Sequence, residues 1–144
     1  MGGAGWDVEY IIRRLEAAGR TEMAMPQIGF SPALAQRNYQ IVRRMFHDEV
    51  TAPRLRMPVP SAAEITAMEE AFGWVLWIPE SRAVVRRVVY ARSMVHPLND
   101  RHVYSWRKLA ERLNTDHKAV QRWFIAGVKE IFLIGASQTP QKAA

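Results

Sequence analysis

Apolar positions recur along this chain at helical spacing, and capping or breaking residues divide them into segments. Asp7 precedes Val8, Ile11, Ile12 and Leu15, an i, i+3, i+4, i+7 stripe that predicts a helix over about 7–18. Glycines, a proline and a methionine pair over 19–30 read as a connection. Ser31 followed by Pro32 is a helix-start signal, and the helix to about Glu49 would bury Leu34, Ile41, Val42, Met45 and Phe46. Pro53, Pro58 and Pro60 exclude a helix over 51–60 and favour an extended run. Ser61 with Glu64 is a capping box that opens a third helix to about Ile78, with Ile65, Met68, Phe72, Val75 and Leu76 on its apolar face. After Pro79, a fourth helix over about 80–95 carries Val84, Val85, Val88, Val89 and Tyr90. Its β-branched content also suits a strand, but Arg82, Arg86 and Arg87 share one face only at helical spacing. Residues 96–100 read as a loop.

The segment from Trp106 to Ile125 has the richest pattern. It predicts a helix capped by Ser105, a tight turn, and a second helix over 116–133. Leu109 and Leu113 point inward one turn apart, and Val120 and Trp123 answer them from the second helix. Ala110 has no bulk, so the two helices can cross closely. Asn114 stands where the chain must turn through positive φ, which Asn tolerates better than most residues. Thr115 is the expected N-cap of the second helix. This register turns His117, Lys118, Gln121 and Arg122 outward, and those residue types can reach base edges in a major groove. Gln121 suits adenine and Arg122 suits guanine. Ser105, Arg107 and Lys108 would hold phosphates, with Lys129 as a further phosphate contact. The plain alternative is an ordinary pair of packed helices. Asp116 runs against the pattern, because an acid there suits the helix dipole but repels a phosphate. It would either accept from a cytosine amine or simply cap.

Composition places the motif in context. The chain has 144 residues, 49% of them hydrophobic and 24% charged, as expected for one globular domain. Its net charge of +6 points toward a polyanionic partner. Of the 20 basic residues 16 are Arg, a bias that suits phosphate binding and that a GC-rich genome would also produce. The excess is not evenly spread. Residues 61–80 hold four acids and no base, 81–92 hold four Arg and no acid, and 101–130 hold seven bases against three acids. Arg82, Arg86, Arg87 and Arg92 could meet DNA or form a solvated face.

Other chemistry finds little support. There is no cysteine, which excludes disulfides and thiolate metal sites. The four His lack ligand spacing, and consecutive His47, Asp48 and Glu49 cannot face one another on a helix. No metal site, cofactor or catalytic residue is expected, and the chain does not read as an enzyme. The five Trp read as core rather than as stacking platforms. The first residues have no signal-peptide pattern and no apolar run is long enough to span a membrane, so a cytoplasmic location is expected.

Two resemblances follow from these residues. Residues 105–132 resemble the trihelical helix-turn-helix shared by sigma-factor region 4 and many phage repressors, which implies duplex DNA binding. Trp6-Asp7-Val8-Glu9, Arg14-Leu15-Glu16, Arg20-Thr21, Met25-Pro26, Pro60-Ser61-Ala62, Ile65, Met68-Glu69 and the stretch from Trp74 to Trp77 resemble functionally uncharacterised small proteins. Phages and prophages of Gram-negative bacteria encode these, and they end in a similar motif. This chain departs from them in a longer loop over 95–104. The resulting expectation is an all-α helical bundle over 1–134, followed by a disordered tail over 135–144. Within it, 6–78 would form a platform and 80–133 the trihelical helix-turn-helix unit. The expected function is a phage or prophage transcriptional regulator that binds double-stranded DNA as a homodimer or higher homo-oligomer. Two alternatives stay open: packaging-site recognition by a small-terminase-type ring, or a helical adaptor for RNA polymerase or a phage protein.

Overall fold

Four helix starts are set by a side chain one residue upstream. In the computed structural model, which describes residues 5–25 and 59–138, Asp7 accepts the Tyr10 amide at the start of α1 (Val8–Ala24). Ser61 and Glu64 form a complete capping box at the start of α2 (Ala62–Val75). Pro79 and a 3-10 turn (Glu80–Arg82) lead into α3 (Ala83–Ser93), which has no side-chain cap. Ser105 caps α4 (Trp106–Arg112), and Asp116 precedes α5 (His117–Gln138), accepting the Ala119 amide at 2.8 Å. The described residues form an all-α helical bundle whose order is α1, α2, the 3-10 turn, α3, α4 and α5. The helix expected from Ser31 and the extended run over 51–58 lie outside the described residues.

One apolar core runs through all five helices. Ile11, Leu15 and Ala18 of α1 join Met68, Ala71, Phe72 and Val75 of α2 in it, and α1 also packs on α3 and α5. Val85, Val88 and Val89 of α3 are buried in the same core, so burial decides for the helix where β-branching left a strand open. Tyr90 donates its hydroxyl to the Phe72 carbonyl at 3.1 Å, satisfying a polar group in the interior. Trp6 stands edge-on to Trp74 with centroids 5.0 Å apart, an arrangement that suits the ring quadrupoles.

Two helices run further than the sequence reading, and both have a distant cause. α1 runs to Ala24 instead of stopping near residue 18. Gly19 does not break it, because it is where α1 crosses the end of α3; a Cβ there would lie 1.8 Å from the Ser93 carbonyl oxygen. At the other end, α5 continues to Gln138, which corrects the expected disorder from residue 135. Trp6 donates its indole N–H to the Phe132 carbonyl at 2.9 Å, and its ring occupies the space a Cβ of Gly135 would fill. Residues 139–144 lie outside the described residues.

The loop after α3 is more ordered than its composition implies. An isolated antiparallel bridge joins Val95 to His102, and the Val103 amide donates to Met94 at 3.0 Å. Asp100 turns through φ 59 and pairs with Arg20 at 2.9 Å. The Nδ1 of His102 donates to the Arg92 carbonyl at 2.8 Å, and its Nε2 lies 3.4 Å from a Glu16 carboxylate oxygen. Burial and the charge of Arg92 together hold the His102 pKa below its ordinary value, outweighing the bond to the Arg92 carbonyl and the Glu16 carboxylate. The folded state thus prefers a neutral ring, and the unfolded chain takes up the proton first. This contribution is present above the ordinary His pKa of about 6.5 and is lost as pH falls through it toward the folded value. Thermal melting at about pH 5.5 and pH 7.5 should give a lower midpoint in acid, with a smaller difference for His102→Gln. An equal difference in both proteins would exclude His102 as the cause.

Candidate nucleic-acid interface

The turn between α4 and α5 is fixed by backbone bonds. Asn114 adopts φ 57. Its amide donates to the Glu111 carbonyl at 3.2 Å, and the Thr115 amide donates to Ala110 at 2.9 Å. This pair of bonds closes a helix whose last residue turns left-handed. Thr115 therefore completes the end of α4 and does not cap α5, contrary to the sequence reading. The capping acceptor is Asp116, one residue later. Leu109, Ala110 and Val120 are buried between the helices, and Leu113 and Trp123 pack at the edge of the core. Phe124 is the more deeply buried aromatic, set edge-on to Trp106 with centroids 5.5 Å apart. Gly127 lets α3 approach α5, since a Cβ there would meet Val85 and Val89.

With that face buried, α5 presents a basic outer face. Lys118, Arg122 and Lys129 are exposed, and His117 and Gln121 are half-buried. Lys118, Gln121, Arg122, Ile125, Ala126 and Lys129 line one open, shallow depression. His117 does not line it, and neither do Ser105, Arg107 and Lys108, which belong to α4 and its start. Ser105 already accepts the Lys108 amide at 3.1 Å; its hydroxyl hydrogen remains as a donor. Arg107 is exposed and Lys108 half-buried. The acid of α5, Glu130, is taken up by Arg82 at 2.7 Å. Lys118, Arg122 and Lys129 make no salt bridge with any described residue, although the charge of Arg122 acts on the exposed Asp116 carboxylate. The sequence reading missed Ile125, although it lies two turns from Lys118 on the same face.

Asp116 is fully exposed at the start of this face. Its pKa is held below the usual carboxylate value, first by the Ala119 amide, then by the Lys118 amide and the charges of Arg122 and His117. It both caps the helix and places an acid beside the cations. Asn caps as well as Asp, so Asp116→Asn should keep the helix start and remove only the charge. Removing one like-charge contact at about 4 Å in water is worth roughly fivefold. Mobility shifts at low salt should show affinity for duplex DNA rising by about that factor. A fall in affinity would instead place Asp116 against a base amine.

The arginines of α3 and of the 3-10 turn before it do not form a common basic face. Arg86 donates to the Ile78 and Leu76 carbonyls at 2.7 and 2.9 Å, closing the end of α2. The Arg92 guanidinium stacks 4.0 Å over Trp106 and donates to the Tyr104 carbonyl at 3.1 Å. With Arg82 paired to Glu130, Arg87 is left without a hydrogen bond or ion pair to a described residue.

Among the described residues no three His, Asp or Glu side chains are grouped to hold a metal ion. No described helix is long and apolar enough to cross a membrane. No curated protein and no solved structure matches the chain. Residues 24–131, most of the chain, match a domain of unknown function, and the protein belongs to that family, DUF6362.

Proposed function

We propose that this protein binds double-stranded DNA, with α5 as the helix that enters the major groove. The carrying observation is the exposed basic face of Lys118, Arg122 and Lys129, none of them in a salt bridge with a described residue, on a helix seated behind a closed, left-handed turn. His117, Lys118, Gln121 and Arg122 are assigned to base edges, and Ser105, Arg107, Lys108 and Lys129 to phosphates. Lys118 and Arg122 stand one turn apart near the start of α5, where a recognition helix meets base edges, and Lys129 lies about 16 Å along the axis from Lys118.

The reading extends to a cytoplasmic regulator of transcription, of phage or prophage origin, acting as a homodimer. One such helix reads too few base pairs for useful specificity, and a two-fold pair would read half-sites about 34 Å apart. No catalytic step or cofactor is part of this reading. The test is a mobility shift with random duplex at rising salt, with the solution mass of the protein measured alongside. Binding that weakens steeply with salt is expected, with a dimer mass. A ring of about eight or more subunits would favour packaging-site recognition over regulation. No shift at about 50 mM salt would leave the adaptor reading.

A further inference from the structure

Ile125 is an apolar side chain, 41% exposed, in the middle of the basic face of α5. Lys118 and Arg122 precede it and Lys129 follows it, and all share the depression that Ile125 lines. Lys118, Gln121, Arg122 and Ile125 stand at i, i+3, i+4 and i+7, the spacing by which one helix face meets base edges in a major groove. From Lys118 to Ile125 the axial rise is about 10 Å, and Leu133, which is 64% exposed, lies two turns beyond Ile125.

We infer that Ile125 reads thymine through the C5-methyl group. This rests on the DNA-binding reading and adds a base to it. The thymine methyl is the apolar feature of the major-groove edge, and an aliphatic side chain is what contacts it. The surrounding cations fit a polyanion and disfavour an apolar protein partner at this point. Gln121 stands one turn before Ile125, about 6 Å away, so its adenine and the thymine of Ile125 would lie within two base-pair steps. The site read by this face would therefore contain A·T pairs beside the guanine assigned to Arg122.

The experiment uses the full chain and a duplex selected by it from a random pool. Each thymine is replaced singly by deoxyuridine, which removes the methyl and leaves the base pairing intact. At one position in each half-site the replacement should weaken wild-type binding about fourfold, the worth of one buried methyl group. Ile125→Ala should bind the unmodified duplex more weakly and show no further loss on the substituted one. The side chain faces outward and Ala is a strong helix former, so the variant should melt like the wild type. Wild-type binding that ignores every substitution, or an Ile125→Ala protein that stays sensitive to them, overturns the inference while the DNA reading stands. Failure to bind any duplex overturns both.

Discussion

Replacing Lys118 and Arg122 together by Ala should cut affinity for duplex DNA by about 100-fold or more and leave the fold intact. Each good bidentate contact to a base contributes about 1–3 kcal/mol of discrimination, and Arg122 is assigned such a contact with guanine and Lys118 a further base-edge contact. Neither side chain forms an ion pair with a described residue, and both are exposed, so truncation leaves no buried group unsatisfied. Because both cations are assigned to base edges, the double variant should lose sequence discrimination more than it flattens the dependence of log affinity on log salt. Lys129→Ala should weaken all sequences alike and flatten it by about one. Arg86→Ala should behave in the opposite way. It removes the donors to the Leu76 and Ile78 carbonyls and so lowers stability ahead of binding. If the double variant binds like the wild type, the outer face of α5 is not the DNA surface.

Gly19→Ala should be among the most damaging conservative changes in the chain. In an isolated helix it would stabilise by about 0.5–1 kcal/mol, because glycine loses more backbone freedom on folding. Here the added Cβ would lie 1.8 Å from the Ser93 carbonyl oxygen and 2.5 Å from its carbon. Both are backbone atoms, so no rotamer change relieves the clash, and α1 must move away from α3. Overpacking of this kind costs about 1–3 kcal/mol and more where backbone shifts. The steric term wins, and a net loss of about 2 kcal/mol is expected, seen as a lower urea midpoint with an unchanged slope. Gly127 differs, because its nearest neighbours are the side-chain methyls of Val85 and Val89. A Gly19→Ala protein as stable as the wild type would contradict the close crossing of α1 and α3.

The contrast between local and distant causes explains what the sequence could reveal. Asp7, Ser61 with Glu64, and Ser105 were legible as caps because the groups they satisfy lie within three residues. Asn114 was legible for the same reason, since its left-handed turn is closed by α4 itself. Thr115 was misread because Thr and Asp are both good caps; the choice depends on the Ala110 carbonyl capturing the Thr115 amide. Gly19 reads as a helix breaker until Ser93 is known to stand against it. The last turn of α5 depends on Trp6, 126 residues away from its Phe132 partner, which no local pattern encodes. Arg82, Arg86 and Arg92 look like a basic patch in a linear count, yet their partners come from α5, the end of α2 and the loop before α4. Trp123 and Phe124 are adjacent aromatics, so periodicity alone could not decide which lies deeper. The outer face of α5 was legible except for Ile125, whose apolar character suggests core until the helix register shows it exposed.

That α5 reads DNA is tested most directly by selecting bound sequences from a random duplex pool. The wild-type chain should enrich a palindromic consensus with guanine and A·T pairs in each half-site, and the Lys118→Ala, Arg122→Ala double variant should enrich none. No enrichment by the wild type, with no binding at about 50 mM salt, would contradict it.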